Sequence, residues 1–276
     1  MSIMFAKNDF SKIASIFLFF WLYMYSGLSL ADSLKSLIRE GLTFYDKGNY
    51  ADALQSWKSA SEVGSKEADF LLGFLYDGVL QNDKEALSFF KKAASSGHIQ
   101  AQINVGLKYE KGEGTKIDKE KALYWYSQAA FNQHDIAQFR LASLLQEEFG
   151  NFKESHFWFS KSAQLGNPEA HLALATNFIL GRGVDKNLTL AHVSCNLATL
   201  LSRDIGSISR SIQLRTELEA KMSADQIKRA EKLSRKCIEK KFKECMNYLE
   251  ADLRRWNVKN TLLFDHIERA RMLFWT

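Results

Sequence analysis

The chain has 276 residues, 46% of them hydrophobic and 25% charged, with a formal net charge of +5. That balance excludes a disordered or collagen-like chain, and the length suits one large domain or two small ones. A single proline, Pro168, and few alternating runs point to an all-α chain, because proline is poorly tolerated inside helices.

Residues 1–31 differ from the rest. Lys7 and Lys12 precede the apolar run IASIFLFFWLYMY, and small residues Ser29 and Ala31 follow it. Basic, apolar and small-residue regions in that order describe a secretory signal peptide, with the mature chain beginning near Asp32. The apolar core is about 13 residues, short of the ~20 that span a bilayer. Extended through Ser26–Ala31, it would serve instead as an uncleaved inner-membrane anchor. Cleavage would place the protein in the periplasm or outside the cell. Three cysteines remain, Cys195, Cys237 and Cys245, enough for one disulfide in an oxidising compartment and one thiol left over.

Residues 32–200 are repetitive. Ala68, Ala101, Ala137 and Ala170 open similar blocks at spacings of 33, 36 and 33 residues, and residues 38–64 fit as an earlier block. Each block reads as two antiparallel helices around a glycine-bearing turn. The first helix carries a small residue near its middle (Gly41, Gly73, Gly106, Ala142, Ala175). The second carries small, large and small residues four or three apart: Ala53–Trp57–Ala60, Ala86–Phe90–Ala93, Ala122–Tyr126–Ala129, Ser155–Phe159–Ser162, Ala191–Cys195–Ala198. Small facing small would let the two helices approach closely, and no block could bury its apolar face alone. The aromatic run Tyr124–Trp125–Tyr126 has counterparts at Phe89–Phe90 and Phe157–Trp158–Phe159, so it belongs to the packing pattern.

The pattern A-x3-L-G-x2-Y-x2-G-x-G…K-A-x2-W-Y-x-K-A-A resembles the Sel1-like repeats, the longer relatives of tetratricopeptide repeats. AQINVGLKYEKGEGTKIDKEKALYWYSQAA, residues 101–130, fits best, and GNYADALQSWKSA in the first block is closer to an ordinary tetratricopeptide repeat. The resemblance implies an all-α, right-handed α-solenoid of five helix-turn-helix repeats. In the fourth block EEFGN replaces the G-x-G turn, which should be shorter. In the fifth, Cys195 takes the large position, which would bury its thiol and make it the unpaired cysteine.

Residues 201–245 read as a capping helix pair covering the last repeat. Ser223 as N-cap with Gln226 at N3 forms a capping box that opens its second helix. A Cys237–Cys245 bridge would require a helix break between them, because eight helical residues span about 12 Å and bridged Cα atoms lie within ~7 Å. Residues 246–276 form an amphipathic helical pattern with an aromatic end, suited to docking on the protein itself, a second copy or a membrane.

Chemistry is thinly represented. The six histidines include no pair three or four apart, and no hydrolase, zincin or phosphate-loop motif occurs. GEG at 112–114 and GRG at 181–183 read as inter-helix turns. The chain is therefore read as non-catalytic, without metal or cofactor. A cysteine-containing Sel1-like hydrolase is the alternative from another class, although the one-bridge-per-repeat cysteine pattern is missing.

Binding is the leading function. The resemblance implies that first helices line a concave face. Its groove positions would be Ile38, Leu42 and Tyr45, Phe70 and Phe74, Ile103 and Leu107, Phe139 and Ser143, Leu172 and Thr176. Lys108, Glu110, Lys111 and Arg140 would form a polar rim. An apolar column of this length suits a peptide or helix. Two other readings stay open: the column is ordinary core one residue out of register, or the C-terminal segment fills the groove. The basic run at 228–243, eight bases against two acids, suits either a solvated face or anionic lipid. Nucleic acid is not expected for an exported chain. The reading is thus an envelope or secreted scaffold that binds a protein or peptide, with a membrane-tethered adaptor as the alternative.

Overall fold

The computed structural model describes residues 30–239. The chain divides after His98 into two compact units. In the first are α1 (residues 30–46), α2 (Tyr50–Glu62), α3 (Lys66–Gly78) and α4 (Asp83–Ser95). The second holds α5 (Ile99–Lys111), α6 (Lys119–Phe131), α7 (Asp135–Glu147), α8 (Phe152–Gln164), α9 (Pro168–Leu180) and α10 (Leu188–Leu201), followed by α11 (Ile205–Glu219) and α12 (Ala224–Glu239). No strand occurs among the described residues, and no helix there is long and apolar enough to cross a membrane. The leader, Cys245 and the 246–276 tail lie outside them.

Side-chain caps set the helix starts. Ser65, Asn82, Asp118, Asn151, Asn167, Asn187 and Asp204 each accept a hydrogen bond from the amide three residues on. The single proline occupies the first turn of α9, where the missing N–H costs nothing. Ser223 and Gln226 exchange their two bonds, 2.9 and 3.3 Å, so the capping box is formed. The α7–α8 connection, residues 148–151, is shorter than 112–118 or 181–187, the two connections that carry GEG and GRG. Gly112, Gly114, Gly181 and Gly183 all have positive φ, which makes these triplets turns.

Within the first three hairpins the seam differs from the expectation of small against small. A Cβ added at Gly73 would lie 2.5 Å from the Phe90 ring, and one at Gly106 would lie 2.6 Å from Tyr126. At Gly41 it would overlap the Trp57 indole. The glycine therefore makes room for the large residue of the partner helix, and the flanking alanines let the backbones close around that ring. Trp57, Phe90, Tyr126 and Phe159 are all buried. In the last hairpin the same repeat positions hold Ala175 and Cys195, both buried. The Cys195 thiol is unbridged, as the departure from the repeat pattern implied.

Successive hairpins are joined by a buried polar position directly after each opening alanine. In the first unit Asp69 accepts from Ser61 Oγ at 2.5 Å and pairs with Lys92 at 2.9 Å. In the second, Gln138 donates to the Ala130 carbonyl at 3.2 Å, and His171 takes the same place against Ala163. In the first unit it is Lys92, held by Asp69, that donates to the Ser61 carbonyl at 3.1 Å. In the second, Gln138 and His171 engage the Ala130 and Ala163 carbonyls themselves, so carbonyls near the end of each preceding second helix are not buried without partners.

The final pair closes on α10 through a polar network. His192 donates to Glu219 at 2.8 Å, Arg215 to Asn196 at 3.0 Å, and Asn196 to Ser234 at 3.0 Å. Cys237 of α12 is buried and disulfide-bonded.

Candidate functional site

The small residue and the positions three or four away on each first helix turn toward its own second helix. Positions offset from that stripe are left facing outward. In the first unit, α1 and α3 place Leu42 and Phe74 at 41% and 47% exposure, with half-buried Tyr45 beside them. The Tyr45 ring stands 6.3 Å from Phe74 and 5.3 Å from Tyr50, giving a small aromatic patch. Phe70 is drawn inward, 5.9 Å from Phe90 and stacked at 4.4 Å on His98.

In the second unit the column divides. Ile103 is buried and belongs to the core, so one groove position is corrected to a packing role. Lys108 is corrected as well. Its side chain is 2% exposed and its ammonium pairs with Glu113 at 3.2 Å, so it holds the α5–α6 turn instead of lining a polar rim. Glu110 is also engaged inside, accepting from the Tyr126 hydroxyl at 2.6 Å. Burial and that bond push the Tyr126 phenol above its ordinary range. Leu107 is half-buried, while Arg140 is exposed on α7.

Between α7 and α9 the remaining positions converge. Phe139, Ser143, Leu172 and Thr176 line a cavity of about 230 Å³, with Phe159 and Ala173 also in its wall. The Phe139 and Phe159 rings lie 5.6 Å apart. Around this apolar floor stand Gln146, Glu147 and Glu169, and α11 contributes Arg210. Sequence reasoning missed Arg210 because it comes from a helix assigned only to capping. An apolar pocket with a few charges at its edge can take a side chain and orient the chain that bears it.

Three buried titratable residues were also missed. Burial pushes Glu154 up to about 7, against hydrogen bonds from Trp158 and Asn151 that favour its charged form. Burial lowers both His156 and His171 to about 4. Nothing about the spacing of Glu154 and His156 marks them, whereas His171 holds the position after an opening alanine that is polar in each repeat. Burial likewise raises the Cys195 thiol to about 12, far from a reactive thiolate. Among the described residues no three His, Cys, Asp or Glu side chains gather to hold a metal ion.

Stacked helix pairs with a glycine–ring seam and a short cap define the class of helical-repeat proteins. Comparison with known proteins places the chain within that class. The Sel1 repeat pattern matches residues 66–98, 99–130, 135–167 and 168–192, and this part of the chain is similar to the Sel1 repeat family. The match begins after α1 and α2 and ends before Cys195, two of the places where the sequence departs from the repeat.

Among solved structures the chain is similar to c5321, described as a protective antigen of uropathogenic Escherichia coli with an SLR fold. The TM-score is 0.66 and the identity 26%, over 79% of this chain and 48% of that one. A Sel1 repeat protein from Oxalobacter formigenes gives 0.56 and 25%, over 69% and 88%. Among sequences, protein NMB1327 of Neisseria meningitidis is 28% identical over 148 residues, 53% of this chain and 31% of the relative. DAP3-binding cell death enhancer 1 of Rattus norvegicus is 44% identical over 97 residues, 35% of this chain and 19% of the relative. The chain thus spans less than a third of the length of these two relatives.

Proposed function

We propose that the protein is a non-catalytic interaction scaffold that binds a protein or peptide on the outward face of its first helices. The cavity between α7 and α9 carries this reading: four positions singled out from the repeat register share one apolar concavity, edged by Glu147, Glu169 and Arg210. An apolar anchor side chain would enter between Phe139 and Leu172, with basic groups of the partner near the two glutamates and an acidic one near Arg210. Sel1-repeat proteins generally act as protein-interaction scaffolds, and DAP3-binding cell death enhancer 1 carries a binding partner in its name. The hydrolase alternative loses its cysteine nucleophile, since Cys195 is buried with a raised thiol and Cys237 is bridged.

Peptides selected from a random display library on the full chain should share an apolar anchor. Phe139→Ala and Leu172→Ala should weaken them about tenfold or more, as loss of a buried anchor contact does. Selected peptides that bind both variants as tightly as the unaltered chain would refute this site.

The location proposed is the envelope or exterior of a bacterium. The basic–apolar–small order of residues 1–31 supports export, and the bridged Cys237 suits an oxidising compartment. N-terminal sequencing of protein from the envelope fraction should begin near Asp32. An intact Met1 there would favour the tethered adaptor.

A further inference from the structure

A second cavity, of about 480 Å³, lies between the first turn of α10 and the middle of α12. Arg229, Lys232 and Lys236 face it, at positions i, i+3 and i+7 of α12, a spacing that puts all three on one stripe of the helix. None of them makes an ion pair or a side-chain hydrogen bond among the described residues, and none of the described lining residues is acidic. The nearby carboxylate of Glu231 is directed to Arg235, 3.9 Å away, which does not line the cavity. Three uncompensated cations beside one another repel.

The opposite wall adds to the positive potential. Asn187 caps α10 by accepting from the Leu190 amide at 3.0 Å, which leaves the Leu188 and Thr189 amides as first-turn donors with no acceptor inside the helix. Thr189 lines the same space, and half-buried Leu190 and Leu233 give it an apolar side.

We infer that this cavity binds a phosphate-bearing ligand. A phosphate with charge near −2 and three acceptor oxygens can meet the three cations together, whereas a single carboxylate would leave part of the charge unmatched. The guanidinium of Arg229 offers a bidentate fork, and the two lysines act as point charges. The cavity is larger than a bare phosphate ion needs, and Leu190 and Leu233 suit a small organic group attached to it. A soluble phosphomonoester and the phosphomonoester headgroup of phosphatidic acid share this chemistry. The site is separate from the α7–α9 cavity and stands whether or not a peptide binds there.

The test uses the full chain with glycerol 3-phosphate in calorimetry, and with phosphatidylcholine vesicles with and without phosphatidic acid in flotation. The variant Arg229→Gln/Lys232→Gln/Lys236→Gln is compared with Lys221→Gln/Lys228→Gln/Arg235→Gln, which removes the same charge outside the cavity. The cavity variant should lose about tenfold or more in affinity and the control under about threefold, as expected when charge-assisted bonds rather than net charge hold the anion. Binding of glycerol 3-phosphate assigns a small ligand, and binding of vesicles alone assigns the headgroup; both support the site. Equal losses in the two variants, or no binding of either probe by the unaltered chain, overturn it. If the triple variant melts early, Lys232→Gln and Thr189→Val, measured singly, give the same comparison.

Discussion

The seam inside each hairpin and the outward face of the first helices are built from the same helices, yet they obey different rules. The seam repeats. Gly41 meets Trp57, Gly73 meets Phe90 and Gly106 meets Tyr126, and each pair is closed by alanines. The face does not repeat. It is an exposed aromatic patch at Leu42, Tyr45 and Phe74 in one unit, buried at Ile103 in the other, and a charged-rim cavity between α7 and α9. Repetition marks residues that hold hairpins together, and departure from it marks residues free to recognise something else.

The seam should be the more fragile of the two. Tyr126→Ala removes a buried ring and its bond to Glu110, and should cost ~3–5 kcal/mol in denaturant unfolding. A loss under ~1 kcal/mol would erase the distinction between seam and face.

Acid should act through the packed side as well. His156 and His171 sit near 4 when folded, below an unfolded value near 6.5. The unfolded chain therefore binds more protons between those values, and stability present above about 6.5 falls as pH drops through about 4. Each imidazole accounts for up to ~3 kcal/mol. Glu154 has the opposite sign: its folded value near 7 lies above the unfolded one, so its contribution is full below about 4.5 and lost as pH rises through about 7. Denaturant midpoints measured from pH 8 to pH 4 should fall overall on acidification. Glu154→Gln should steepen that fall between about 4.5 and 7.

Gly106→Ala tests the close approach itself. The added methyl at 2.6 Å from a ring with little room to move should cost ~1–3 kcal/mol, despite the better helix propensity of alanine. The smallest effect is a gain. Gln133 has φ of 58° at the inter-repeat turn where Gly64, Gly97 and Gly166 serve the other blocks. Gln133→Gly should raise stability by up to ~1 kcal/mol, and a loss would mean the Gln133 side chain has a role that the repeat does not require.

Period, hairpin pairing, short α7–α8 turn and buried Cys195 were all legible in the chain, because each follows from local spacing. The direction of the seam was misread. Spacing alone shows which residues share a stripe, and not whether a glycine meets an alanine or a ring. Lys108 was misjudged for a related reason. Its position on α5 is outward by register, but Glu113 in the following turn folds back and pairs with it. Polar residues after the opening alanine carried a readable signal, since Asp69, Gln102, Gln138 and His171 recur with the repeat, and all are buried. Arg210 and the Arg229–Lys232–Lys236 stripe could not be placed, because their neighbours come from other hairpins.

The central claim is that recognition lives on the first helices and not in the seam. Hydrogen exchange of the full chain, with and without a selected peptide, tests it directly. Protection should concentrate in α7 and α9 around Phe139 and Leu172, leaving α8 and α10 unchanged. Protection centred on α8 and α10, with α7 and α9 unaffected, would contradict the account.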